Sequence, residues 1–219
     1  MKLIGWVRGS YGALKILYRL SGLINLFCKK YDRDANCALR RSVSLPEGLL
    51  NGQRLAPLGD LPYGAWRMGE NGCEVIAAYN VLHSLGRPES LPALAWELER
   101  RGLLFNGFGG TNLGALVPFF RRRGIPVRIL RRRQESEFDA ALSSADCAVL
   151  SYWTGKTLRR PDKSWNTLHT VSVHHRGNGI AVCNVSANGT RPVEAASIAE
   201  FLSQEGGAPV CLFVLGKIG

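Results

Sequence analysis

The chain has 219 residues, 46% hydrophobic and 21% charged, enough for one well-buried domain with an appendage, and this balance excludes wholesale disorder. Lys and Arg outnumber Asp and Glu by 28 to 17, giving a net charge of +11, much of it in Arg121-Arg122-Arg123 and Arg131-Arg132-Arg133. That surplus suits an acidic partner or a solvated basic face. The runs lack the interleaved aromatics of a single-strand-binding platform, which argues against nucleic acid.

Residues 1–30 form a basic helix candidate, apolar except for a narrow polar stripe at 12, 15, 19 and 22. Lys15 and Arg19 interrupt it, so it is a poor signal peptide and no membrane span. Packing against the main domain is favoured over peripheral contact with a membrane surface. Residues 31–66 carry scattered Pro, Gly and Arg and are predicted to be a loop-rich connector, which places the main domain at 67–219.

That domain is predicted to begin with helices. Apolar residues at helical spacing mark 72–85, stopped by Gly86. A second helix spans 91–101, opened by Ser90 with Pro92 in its first turn and closed by Gly102. A third ends at Arg123 before Gly124, with Pro118 kinking it or delaying its start. Strands are expected at 126–130, 147–153, 169–175, 180–186 and 209–216, with short helices near 137–144 (capped by Ser136 and Asp139) and 198–205 (capped by Ser197 and Glu200). Helices followed by an antiparallel sheet predict an α+β fold.

Six cysteines, at 28, 37, 73, 147, 183 and 211, show neither CxxC pairing nor metal-ligand spacing. This predicts a reducing, cytoplasmic setting, no structural metal and no cofactor. Cys183 and Cys211 fall in apolar runs and read as core.

Cys73 is different. It follows Asn71-Gly72 and precedes Glu74, and Asn71 with Glu74 reads as a capping box. The thiol then lies in a first helical turn, where free N–H groups and the helix dipole favour thiolate. The alternative is a small buried apolar residue. Glu74 itself works against the thiolate.

Further along, the turn Arg176-Gly177-Asn178-Gly179 joins two strands into a hairpin. A symmetric turn pairs 175 with 180 and 171 with 184, which sets His169 and Asn184 on one face as diagonal neighbours. Ser186 lies opposite His169 in the same register and competes with Asn184 for the ring. A histidine oriented by an asparagine and facing a helix-start cysteine is a thiol-protease arrangement.

The order Cys73, His169, Asn184, with spacings of 96 and 15, resembles the papain-like superfamily. The run Asn71-Gly72-Cys73-Glu74-Val75-Ile76-Ala77-Ala78-Tyr79-Asn80-Val81-Leu82 is similar to its compact bacterial branch, which includes peptidases that remove double-glycine leaders from bacteriocin precursors. The resemblance covers 67–219. It implies a papain-like fold, Cys73 as nucleophile, His169 as general base and acid, and Asn184 as the ring-orienting group. Such peptidases place a glutamine about six residues before the cysteine to donate to the oxyanion; here that position is Arg67, leaving Arg67 or Asn71 as substitutes.

Gly109, Gly110, Thr111 and Trp153 are expected to line a substrate cleft, with Trp66, Tyr152 and Trp165 as further candidates. The Gly-rich loop lacks the ending of a phosphate-binding loop. The expected function is cysteine-dependent acyl transfer on a peptide or amide substrate of acidic character. The alternatives are a catalytically inactive scaffold that binds a peptide or anionic surface, and an acyltransferase with an amine acceptor.

Overall fold

The computed structural model describes residues 33–45, 48–107, 110–154, 167–185 and 189–217. The helix expected over 1–30, and Cys28, Gly109, Trp165 and Ser186, lie outside the described residues.

Among the described residues seven α-helices and an antiparallel sheet make the fold α+β. The helices are α1 (Arg33–Arg41), α2 (Met68–Asn71), α3 (Cys73–Ser84), α4 (Leu91–Arg101), α5 (Leu116–Arg121), α6 (Phe138–Ser143) and α7 (Ile198–Glu205). The strands are β1 (Pro62–Tyr63), β2 (Trp66–Arg67), β3 (Val127–Arg131), β4 (Cys147–Trp153), β5 (Leu168–Arg176), β6 (Gly179–Cys183), β7 (Val193–Ala195) and β8 (Ala208–Leu215). β1 and β2 pair with each other, and the six-stranded sheet has the order β3-β8-β4-β5-β6-β7.

Each face of that sheet carries its own core. Cys147 and Val149 of β4, with Cys211, Phe213 and Leu215 of β8, pack with α3, α4 and α5. The alternate residues Ala148, Leu150 and Tyr152, with Leu212 and Val214, pack with α6 and α7. A strand covered on both faces is apolar throughout, which is why β4 reads as a continuous hydrophobic run. α3 is enclosed in the same way: all residues from Cys73 to Leu82 are buried.

The expected hairpin forms with its register intact, His175 facing Ile180 and Ser172 facing Cys183. It stops one pair early. Asn184 leaves the strand with φ 65, so the 171–184 pair is not made. Pro118 delays the third helix: a 3-10 turn at Leu113–Ala115, capped by Asn112, precedes α5. At α7, Ser197 Oγ accepts from the Glu200 N–H at 3.1 Å as expected, while the Glu200 carboxylate accepts from Ala196. The Ser136–Asp139 cap does not form, because Asp139 Oδ1 accepts from the Ile198 N–H at 2.7 Å and ties α6 to α7.

The loop-rich connector expected over 31–66 is corrected most. It contains α1 and contributes Leu50, Leu58, Leu61 and Tyr63 to the core. Arg40 of α1 and Glu99 of α4, both fully buried, form two hydrogen bonds of 2.9 Å. Arg40 also donates to the Pro62 carbonyl and Glu99 accepts from the Gly64 N–H, so β1 is held in the same network. A periodicity scan misses this helix because its buried anchor is an arginine, and its core contacts are distant in sequence. Among the described residues no helix is long and apolar enough to cross a membrane.

Candidate active site

Cys73 is the first residue of α3, as expected, but the cap is not Asn71. Gly72 occupies the N-cap position with φ −90 and no side-chain cap bond. The short helix α2 ends at Asn71, whose amide instead donates to the Gly107 carbonyl at 2.9 Å. A Cβ on Gly72 would meet the Met68 carbonyl oxygen at 2.6 Å, so glycine is what lets α2 and α3 abut. The carboxylate half of such a cap forms one helix earlier, where the Arg67 N–H donates to the Glu70 carboxylate at 3.2 Å.

Cys73 is 8% exposed, and its sulfur lies among polar groups. The thiol donates to Glu74 Oε2 at 3.1 Å. The backbone N–H groups of Thr170 and Glu74 point at the same sulfur. Thr170 Oγ1 donates to Glu74 Oε1 at 3.5 Å, and Thr111 nearby also favours the ionised carboxyl. Burial, then the charge of Glu74 and its hydrogen bond to the thiol, push the Cys73 pKa well above the ordinary thiol value. Burial likewise pushes Glu74 up to about 7. The thiolate expected from the helix start alone is therefore overridden in the resting arrangement, where an enclosed carboxylate sits beside the sulfur.

His169 is the second residue of β5, immediately before Thr170 and opposite Tyr152. Its ring packs edge-on against Tyr152 with centroids 6.0 Å apart, and its Nε2 lies 2.6 Å from the Asn184 carbonyl oxygen. A carbonyl only accepts, so Nε2 carries the proton and Nδ1 is left as the basic nitrogen of the neutral ring. Burial lowers the His169 pKa, opposed by the Asn184 hydrogen bond, and Arg54 lowers it further. Among the described residues no hydrogen bond joins the imidazole to the thiol; the sulfur reaches β5 at Thr170, one residue on.

Asn184 orients the ring, but through its backbone. Its side chain is engaged elsewhere: Oδ1 accepts from the Gln53 N–H and Nδ2 donates to Gln53 Oε1, both at 3.1 Å. Its own N–H donates to Asn51 Oδ1 at 2.8 Å. The left-handed φ of 65, which Asn tolerates better than most residues, turns the carbonyl toward His169.

Neither substitute oxyanion donor is positioned by its side chain as expected. Arg67 is exposed and paired with Asp60 at 2.8 Å, and Asn71 is committed to Gly107. Thr111 does not wall a cleft; it is 7% exposed, and its hydroxyl lies 3.1 Å from that of Tyr63. Gly110 takes a positive φ of 68, and Trp153 stands 44% exposed at the end of β4.

Sequence reasoning missed Gln53, a residue 131 positions from its Asn184 partner and hidden in the supposed connector. Gln53 Nε2 also donates to the Gly69 carbonyl at 3.2 Å, linking the segment that carries Asn184 to α2. Reasoning from spacing also missed Thr170 as a partner of Glu74. Cys147, Cys183 and Cys211 are buried thiols pushed up to about 12, 11 and 11 by desolvation, as suits core residues. Among the described residues no three His, Cys, Asp or Glu side chains gather as a metal site.

No family model matches the chain, and comparison with curated proteins finds no match. The functional reading rests on the chemistry of the site.

Proposed function

We propose that the protein is a cysteine-dependent acyl-transfer enzyme of papain-like fold that hydrolyses a peptide or amide bond. The observation that carries this reading is the hydrogen bond from His169 Nε2 to the Asn184 carbonyl at 2.6 Å. It fixes the tautomer in which Nδ1 is a base, one residue along β5 from the Thr170 N–H that meets the Cys73 sulfur. In this reading Nδ1 takes the thiol proton, the sulfur attacks the carbonyl carbon, and the imidazolium returns the proton to the leaving amine. Water then cleaves the thioester. The N–H groups at the start of α3 and the N–H of Thr170 stabilise the thiolate. Recruitment of an acidic substrate by the basic surface, and a cytoplasmic location, belong to the same proposal.

Two observations favour a second reading, a binding scaffold without catalysis. The thiol donates to Glu74, not to His169, and Arg67 is drawn away to Asp60. Labelling of Cys73 by a peptidyl electrophile, read by peptide mass mapping, separates the two. The enzyme reading expects labelling at least tenfold faster in the wild type than in His169→Ala. Equal rates would leave the scaffold.

A further inference from the structure

Among the described residues Glu74 is the one acidic group in contact with the nucleophile candidate, and its surroundings are those of a group held to change charge in place. It is 4% exposed, yet it lies against two proton donors. The thiol of Cys73 meets Oε2 at 3.1 Å and the Thr170 hydroxyl meets Oε1 at 3.5 Å. Among the described residues the titratable groups facing it are Cys73 on α3 and Tyr63 on β1, whose phenol burial keeps neutral. A carboxylate and a thiolate at this separation in a buried site do not coexist, since two like charges in contact oppose each other.

We propose that Glu74 governs the charge state of Cys73: ionised, it accepts the thiol hydrogen bond and holds the sulfur as S–H; protonated, its O–H donates to the sulfur and releases a thiolate. The proton that neutralises Glu74 comes from solvent, and the thiol proton passes to His169 Nδ1, so the protonated carboxyl accompanies a thiolate–imidazolium pair. Glu74 is thus a positioning residue acting through Cys73. This inference rests on the acyl-transfer reading for its purpose, though not for its test. It gives the site an unusual signature, because an ordinary thiol becomes more reactive as pH rises and this one becomes less so. Burial sets Glu74 to change charge near pH 7, which puts the transition within reach of mild conditions.

The test is the rate of Cys73 alkylation by iodoacetamide between pH 5.5 and 9, read by mass mapping on the full chain. The wild-type rate should hold level below the Glu74 transition and fall about tenfold per pH unit above it. Glu74→Gln should abolish the fall and react at least tenfold faster than wild type at pH 8. Thr170→Val removes the hydroxyl that favours the ionised carboxylate but keeps the backbone N–H at the sulfur. It should move the fall to higher pH, and it carries the test if Glu74→Gln does not fold. A wild-type rate that rises with pH in parallel with Glu74→Gln would overturn the proposal. A Glu74→Gln variant slower than wild type at pH 8 would also overturn it, because Glu74 would then be assisting ionisation. The profile is read without any substrate. The expected profile without hydrolysis of any peptide would count against the enzyme reading alone, and hydrolysis without the profile would count against this inference alone.

Discussion

Asn184 shows how a residue can hold its neighbour by an atom other than the one its position suggests. Its carbonyl, not its amide, touches the His169 ring, and that carbonyl is aimed by a φ of 65. Asn184→Gly keeps the left-handed backbone at no steric cost, whereas Asn184→Ala strains it and loses the same amide bonds to Gln53. Cys73 labelling by a peptidyl electrophile should therefore fall about tenfold or more in Asn184→Ala and clearly less in Asn184→Gly. Equal losses would mean that the side chain is what orients the ring.

Glu74 also leaves a mark on stability at the residue scale. Its pKa is raised in the folded protein from 4.5 to about 7, so the folded state holds a proton that the unfolded state releases. Stability is then lost as pH rises from 4.5 to 7, by about 3 kcal/mol for a shift of this size. His174 acts in the opposite sense. Burial lowers it from 6.5 to about 4, so its contribution is present above 6.5 and is lost as pH falls toward 4. The two offset each other between pH 4.5 and 6.5. Urea unfolding of Glu74→Gln should remove the loss at rising pH and expose the acid sensitivity of His174.

Among the elements, the junction between α2 and α3 sets the nucleophile candidate. Gly72 has the Met68 carbonyl oxygen 2.6 Å and the Met68 sulfur 2.0 Å from where a Cβ would stand. Gly72→Ala should cost about 1–3 kcal/mol by overpacking and shift Cys73 off the Thr170 N–H, seen as a lower denaturant midpoint with altered Cys73 reactivity. The α1–α4 contact is equally specific. Removing one partner of the buried Arg40–Glu99 pair leaves an uncompensated charge, so Glu99→Ala should destabilise by about 3–5 kcal/mol in urea unfolding. The element boundaries most legible in sequence were those with local causes. α3, α4 and β4 were marked by apolar periodicity, Pro92 and following glycines, and the β5–β6 register by its two-residue turn. The Asn71–Glu74 and Ser136–Asp139 caps failed for a common reason. Asn71, Glu74 and Asp139 each found a partner from another element.

For the whole molecule, the consequence is that residues before 67 cannot be set aside. Leu50, Leu58, Leu61 and Tyr63 are each 4% exposed or less, and burying one such side chain contributes about 1.5–3 kcal/mol. Their sum is comparable to the whole stability of a domain. A chain starting at residue 67 should lose cooperative thermal unfolding, checked by calorimetry against the full chain. The basic surface is likewise only partly surface. Arg123 grips Glu89 and Glu97 and lies over the Phe119 ring, and Arg122 pairs with Glu97, while Arg131, Arg132 and Arg133 stand exposed.

The sequence by itself determined the α+β class, the order of most elements, the hairpin register and the place of Cys73 at a helix start. Each follows from residues within a few positions of one another, through periodicity, turn chemistry or a helix-breaking glycine. The tertiary structure decided the ionisation of Cys73, the atom of Asn184 that holds His169, and the role of Gln53 and Arg40. These depend on contacts between segments far apart in the chain and on the exclusion of water, and neither leaves a local pattern to read.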